Sequence, residues 1–196
     1  MSKIDFDETL TSFDEVVRRP STGSRRFGSD DPLRVPAMHD VIYPAVPFPS
    51  ARIFREAGEA AIRRLVHDQH ERLRDSPVGA LFPADEQRFR AAVERSEDFF
   101  VEMLGGPDVF TSTRGQPALR ERHFPVSITE ADRLTWLDCL AQAMVESGFP
   151  ASCHEELWNW VEPLSIRMIN RRTTMYAVER LPFADYPRFR KGIHHD

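Results

Sequence analysis

Gly105-Gly106-Pro107 and, shortly after it, Arg114-Gly115-Gln116-Pro117-Ala118-Leu119-Arg120-Glu121-Arg122-His123-Phe124-Pro125 decide how this chain is read. The two glycines permit the left-handed conformation that closes a helix, and Pro107 forbids its continuation. The helix they close carries Phe89, Val93, Ser96, Phe100 and Met103 on one stripe, with Ala92 and Phe99 flanking it. Pro83 stands near its start, where a proline is tolerated. Residues 107–127 keep no sustained period, apart from a short helical run from Pro117 to His123. Beyond them Ser127-Ile128-Thr129-Glu130 matches a capping box, in which the hydroxyl meets an early amide and the glutamate reaches back.

On the N-terminal side, Ala61, Ile62, Leu65, Val66, Gln69, His70 and Leu73 recur at spacings of three and four. That is an amphipathic helix, running from near Ser50 to near Arg74 and stopped by Ser76-Pro77. On the C-terminal side a helix reaches Ser147, with Leu134, Leu137, Ala141, Met144 and Val145 on one face and Trp136, Leu140 and Ala143 on another. Ser152-Cys153-His154-Glu155 repeats the capping pattern. Behind it Leu157, Trp160, Val161, Leu164 and Met168 form a last stripe, which Pro163 is expected to kink. No strand pattern and no internal repeat is found, so the class is all-α with four substantial helices.

Residues 1–49 differ from the rest. Pro20, Pro32, Pro36, Pro44, Pro47 and Pro49 punctuate them, and they read as an irregular N-terminal extension whose Val41 to Pro49 strip is apolar enough to lie on the domain surface. The domain itself is expected over residues 50–176, with 177–196 as a C-terminal tail.

The 196 residues suit one domain and bury a core without disulfides, a limit that applies mainly below about 80 residues. A hydrophobic fraction of 41% and a charged fraction of 29% are those of a globular protein. With 31 acidic against 26 basic residues the net charge is −5, which speaks against a general nucleic-acid or membrane-surface binder. Lys3 and Lys191 are the only lysines, so the many arginines reflect coding bias before they reflect guanidinium chemistry. Cys139 and Cys153 cannot form a disulfide framework or an all-cysteine zinc site, and Cys139 reads as a buried thiol. Neither a signal peptide nor a run of about 20 apolar residues is present, which points to the cytoplasm.

Two histidines carry the chemical interest. His70 lies in line with Ile62, Val66 and Leu73 and points inward, whereas His67, beside Arg63, Arg64 and Glu71, is solvated. No His-Glu-x-x-His pattern supports zinc hydrolysis, and His194-His195 closes the tail without a partner motif. Taken singly, His70 and His123 are most simply satisfied core or loop histidines. Together, an inward histidine on one helix, a second on a short helix and a tryptophan on a third could surround a flat apolar cofactor, and haem is held by an axial histidine in such all-α pockets.

The segment from Gly105 to Pro125 resembles the core of the truncated, two-over-two haemoglobins of group II. Asp132-Arg133-Leu134-Thr135-Trp136-Leu137-Asp138-Cys139-Leu140 is similar to that family's tryptophan-bearing helix, and Glu162 to Asn170 to its last helix. The likeness spans residues 53–171 and implies a two-over-two helical sandwich enclosing haem b. It makes His123 the proximal iron ligand and Arg120 and Arg122 partners of the haem propionates. Trp136 becomes a distal donor, Ala92 and Ser96 face the ligand, and Phe82, Phe99, Phe100 and Ile128 wall the haem.

Departures from the family pattern matter as much. With a one-residue gap before Phe82, His70 stands where a tyrosine is usual, and Phe82 lacks the hydroxyl frequent at the next corner. Phe110, Gln116 and Val126 replace a tyrosine, a histidine and a phenylalanine. The distal donors left are His70, Trp136 and the Ser96 hydroxyl, and His70 either hydrogen-bonds the ligand or ligates iron itself.

The function this implies is binding, with transport, of O₂, NO or CO at a histidine-ligated iron, with a redox detoxification role open to it. The alternatives are a peroxidase or an NO dioxygenase-like enzyme, and a sensor signalling through residues 1–49. A separate reductase and a second copy of the chain are the protein partners implied, and neither nucleic acid nor membrane is. Because the helical period begins near Ser50, deleting residues 1–40 should leave a folded domain that loads haem, read from the Soret band. A truncated chain unable to take up haem would make the extension part of the core.

Overall fold

The computed structural model describes residues 44–174 and 176–190; most of the N-terminal extension, including Val41 to Tyr43, and His194-His195 lie outside them. Four long helices dominate: α1 (Arg52–Arg74), α2 (Glu86–Met103), α5 (Glu130–Glu146) and α6 (His154–Met168). Between them lie the short α3 (Thr111–Arg114) and α4 (Leu119–His123), and α7 (Pro187–Arg190) ends the described chain. Single 3₁₀ turns occupy Gly79–Leu81, Ala151–Cys153 and Phe183–Asp185. No strand occurs among the described residues. Helix α1 lies against both α2 and α5, and α6 closes on α5 and on α4, giving two helix pairs laid one over the other. This is the two-over-two sandwich.

The apolar stripes account for the core. Ile62, Leu65, Val66 and Leu73 of α1 are fully buried, as are Leu137, Leu140, Leu157, Trp158 and Trp160 of the second pair. Cys139 and Cys153 are buried free thiols. Helix α1 is in fact two arms, 52–57 and 59–74, joined at Gly58 with φ 73° and ψ 161°, a conformation open to glycine. The periodicity alone reads straight through that break. Helix α2 starts at an Asp85 cap whose carboxylate accepts from the Arg88 amide at 2.8 Å, so Pro83 lies outside it. It ends where Gly105 takes φ 98°; a Cβ at Gly106 would stand 2.6 Å from the Phe54 ring.

Three local expectations give way to tertiary contacts. The first capping box falls on Thr129 and Asp132, not on Ser127 and Glu130. Ile128 is held by Asn170, whose side chain accepts from its amide and whose own amide donates to its carbonyl, so the helix cannot begin before Thr129. The second box does not form: the Ser152 hydroxyl donates to Glu56 at 2.8 Å, and α6 starts without a side-chain cap. Helix α6 continues through Pro163 to Met168. Leu134 and Val145, read as inward, are 50% and 55% exposed because Arg133 turns into the core in their place.

Arg133 meets Glu162 at 2.5 Å with both side chains almost fully buried, and its Nε donates to Ser165. Glu162 also accepts from Arg180 at 2.6 Å and from the Leu181 amide at 3.0 Å. Residues 177–190, expected as part of the tail, are thereby bound to the core. The Trp158 indole donates to the Leu181 carbonyl at 2.7 Å, Arg188 pairs with Asp138 through two bonds of 2.6 Å, and Phe189 is buried against Trp158. At the other end Val46 is buried and the Pro44 carbonyl accepts from Arg167.

Removing one partner of a buried ion pair strands the other charge, at a cost of about 3–5 kcal/mol, whereas a half-exposed partner contributes under about 1 kcal/mol. Glu162→Ala should therefore lower the urea unfolding free energy by about that larger amount and Arg180→Ala by less than about 1 kcal/mol. Equal losses from the two variants would contradict the burial of the pair.

Candidate functional site

His123 ends the five-residue α4, and its half-buried ring is oriented by its own backbone. Nδ1 lies 2.6 Å from the Leu119 carbonyl. A carbonyl only accepts, so Nδ1 carries the proton, and Nε2 keeps an unshared pair with no hydrogen-bond partner among the described residues. A carbonyl behind the ring that fixes its tautomer and angle is what a metal-binding imidazole requires.

Helix α4 has little hold of its own, and borrowed groups supply it. Arg122, expected at a haem propionate, instead turns back: its Nε donates to the Pro117 carbonyl at 2.8 Å and its Nη2 to those of Arg114 and Gln116 at 3.2 Å. The Glu102 carboxylate accepts from the Phe110 and Thr111 amides, both at 2.9 Å, and so starts α3 inside a stretch that reads as irregular. The Arg120 guanidinium lies 5.9 Å from the Phe124 ring centroid. Arg95 of α2, not singled out by its sequence position, stands near Arg114 and Arg122; partial burial first, then these two charges, lower its pKa. It has no ion-pair partner among the described residues, since Arg114 pairs with Asp98 and Arg122 is committed to carbonyls. Arg95 thus keeps a partly buried guanidinium, free of an ion pair, that can meet an anionic group.

His70, on the buried face of α1, repeats the arrangement of His123. Nδ1 donates to the Val66 carbonyl at 2.7 Å, and burial pushes the pKa down to about 4. The ring is therefore neutral at pH 7 with its proton on Nδ1, and Nε2 is an acceptor only. Phe82 meets it edge-on at 5.9 Å, and Phe89 follows at 6.0 Å. The solvated His67 lies 3.8 Å from Glu97 and takes no part.

The Ser96 hydroxyl donates to the Ala92 carbonyl at 3.1 Å, which spends its proton and leaves it, too, an acceptor. Of the three donors expected on the distal side, Trp136 alone keeps a free N–H. Its indole makes no hydrogen bond among the described residues, and its carbonyl accepts from the buried Gln69 amide at 3.4 Å. Phe99 and Phe100 join Phe110 and Trp160 in an aromatic cluster, with centroids 5.5 to 6.0 Å apart. Ile128 is half-buried, its amide bound to Asn170.

Two imidazoles with tied Nδ1 and bare Nε2, an indole N–H without a hydrogen-bond partner and a guanidinium without an ion pair are groups that suit a flat dianionic porphyrin held by a histidine. The chemistry of the donor set suits iron: neutral nitrogen, no carboxylate cage. Among the described residues no cluster of three or more metal-ligating side chains competes with it.

Comparison with known proteins agrees. The chain is 30% identical over 119 residues to the group 2 truncated haemoglobin YjbI of Bacillus subtilis (strain 168), covering 60% of this chain and 88% of that protein. Among solved structures, phosphate-bound Hell's gate globin IV is 47% identical with a TM-score of 0.72, over 73% of this chain and 89% of that one. The group II truncated haemoglobin of Bacillus anthracis is 27% identical with a TM-score of 0.58, over 67% and 96%. Residues 53–170 match the bacterial-like globins as a family, and that span takes in both histidines, Trp136 and all four long helices but the first residue of α1. On this match and on its two-over-two helical sandwich, the chain belongs to the bacterial-like globin family, as a truncated haemoglobin of group II type.

Proposed function

We propose that this haem protein uses His123 as the axial ligand and that its distal side is set up for a guest bringing its own proton, with hydrogen peroxide as the reactive case and redox detoxification as the role. Family membership supports haem and the binding of small ligands such as oxygen. The observation that carries the finer reading is the tautomer of His70. With Nδ1–H committed to Val66, a neutral Nε2 has nothing to donate to O₂ but accepts readily from water or a hydroperoxide. Trp136 supplies the complementary N–H.

In this reading His70 would take one proton of hydrogen peroxide onto Nε2 and return it to the departing oxygen, which leaves as water. The haem, when bound, would supply the two electrons that O–O cleavage consumes, and a separate reductase would restore them. Arg95 would hold a propionate, and the tied imidazole of His123 would hold the iron. The cofactor is taken as haem b and the location as the cytoplasm; no helix among the described residues is long and apolar enough to cross a membrane. A sensor acting through residues 1–49 draws no support from the site, since residues 1–43 lie outside the described chain.

Two experiments test this. His123→Gly should lose stable haem, with imidazole in the buffer restoring it; an unaltered ferrous spectrum without imidazole removes the axial assignment. His70→Leu should slow the reaction with peroxide by on the order of 10²–10⁴-fold, while O₂ release changes less than about twofold. The wild-type rate should stay flat from about pH 8 to about pH 5 and fall as acid protonates His70 near its pKa of about 4. Tenfold faster O₂ release from His70→Leu would make His70 a donor after all. Conversion of its ferric spectrum from six- to five-coordinate would make Nε2 an iron ligand instead.

A further inference from the structure

We infer that Asn170 is a positioning residue for the His123 imidazole, an inference that rests on the axial role proposed above. Asn170 lies just past the end of α6, and its side chain reaches the loop that follows α4. Nδ2 donates to the His123 carbonyl at 2.9 Å and to the Val126 carbonyl at 2.8 Å, and Oδ1 accepts from the Ile128 amide at 2.9 Å. A primary amide has two N–H bonds and one carbonyl oxygen, and here each meets a complementary backbone group. The three contacts together settle which end is oxygen, because the reverse orientation would set oxygen against two carbonyls. The backbone amides of Asn170 and Arg171 add bonds of 3.1 and 2.9 Å to the Ile128 carbonyl.

The tie matters because of where it lands. The carbonyls of a helix's last turn have no intrahelical partner, and α4 is little more than one turn. The carbonyl of His123 is met by the Val126 amide at 3.1 Å and by Asn170; no other described side chain reaches it. Two independent constraints then define the direction of Nε2: the Leu119 carbonyl fixes the ring about its bonds, and Asn170 fixes the backbone that carries the ring. The first is local to α4. The second spans 47 residues and references the histidine to α6, the most deeply buried helix of the core. An axial ligand works within about 0.5 Å and 10–20° of its productive geometry, and a helix this short does not hold that tolerance by itself.

The test uses the full-length, haem-loaded protein. In Asn170→Ala the ferrous, unliganded iron–histidine stretching band in the resonance Raman spectrum should shift or broaden. Haem transfer to an excess acceptor protein should quicken about tenfold, as expected when buried carbonyls lose a charge-neutral donor. A lowered melting midpoint with an unmoved band of unchanged width would show a merely structural role and overturn the inference. In the His123→Gly background with imidazole supplied, the ligand is no longer attached to the chain, so adding Asn170→Ala should leave the iron–imidazole band where it is. A shift there means the effect does not pass through the His123 backbone, and the inference fails. His123→Gly that keeps the native histidine band without imidazole refutes the axial reading itself, in a variant that leaves Asn170 untouched, so the two failures are distinct. Should Asn170→Ala not fold, Asn170→Ser keeps a short donor and should show the same band change in smaller measure.

Discussion

Between Leu104 and Thr129 the backbone holds two helices of four and five residues, and neither is long enough to satisfy its own amides and carbonyls. Almost everything distinctive in the structure answers that constraint. Glu102 reaches over from α2 to receive two amides, Arg122 spends its guanidinium on three carbonyls, and Asn170 comes from beyond α6 to bridge three groups in the following loop. Ala118, fully buried with φ 38°, shows that the chain also accepts backbone strain here. The segment that presents His123 is thus rigid by external support, and its rigidity depends on helices that pack well without it.

At His70 and Ser96 the hydrogen-bonding capacity is set by commitments already made. Val66 takes the Nδ1 proton of His70, and Ala92 takes the hydroxyl proton of Ser96. Both bonds run back one turn to the residue's own helix, so they persist whether or not anything is bound nearby. Of the three groups read as distal donors, the Trp136 indole alone keeps its proton uncommitted, and the other two are acceptors. The family's tyrosines would have given the reverse balance, and a polar residue at their place does not restore it: the number of free protons, not the number of polar side chains, decides what the pocket welcomes.

Sequence made the helices legible because their apolar stripes are local. The stripe of α1 and the Gly105-Gly106 closure of α2 are where periodicity and glycine chemistry place them. The family was legible as a resemblance, carried by the segments around Gly105-Gly106-Pro107, His123 and Trp136. The features that escaped are pairings over long separations. Arg133 finds Glu162 across 29 residues, and an arginine in a stripe has no local mark of burial. Ser127 to Glu130 has the spacing of a capping box, yet the box forms at Thr129 and Asp132, where the distant Asn170 holds Ile128 outside the helix. The tautomer of His70 escaped for another reason: a histidine in sequence is donor and acceptor at once, and only a neighbouring carbonyl makes it one of them.

The buried carboxylate of Glu162 also orders events in time. A ribosome releases the chain from its N-terminus, so Arg133 and Glu162 emerge ahead of Arg180 and the Leu181 amide. Until those last groups appear, one carboxylate lacks two of its partners, and Trp158 has no Leu181 carbonyl for its indole. The deepest polar cluster of the helical sandwich therefore closes only once the segment carrying Arg180 and Leu181 is out, and a chain cut short of Arg180 keeps a buried carboxylate and a buried indole without the groups that complete them.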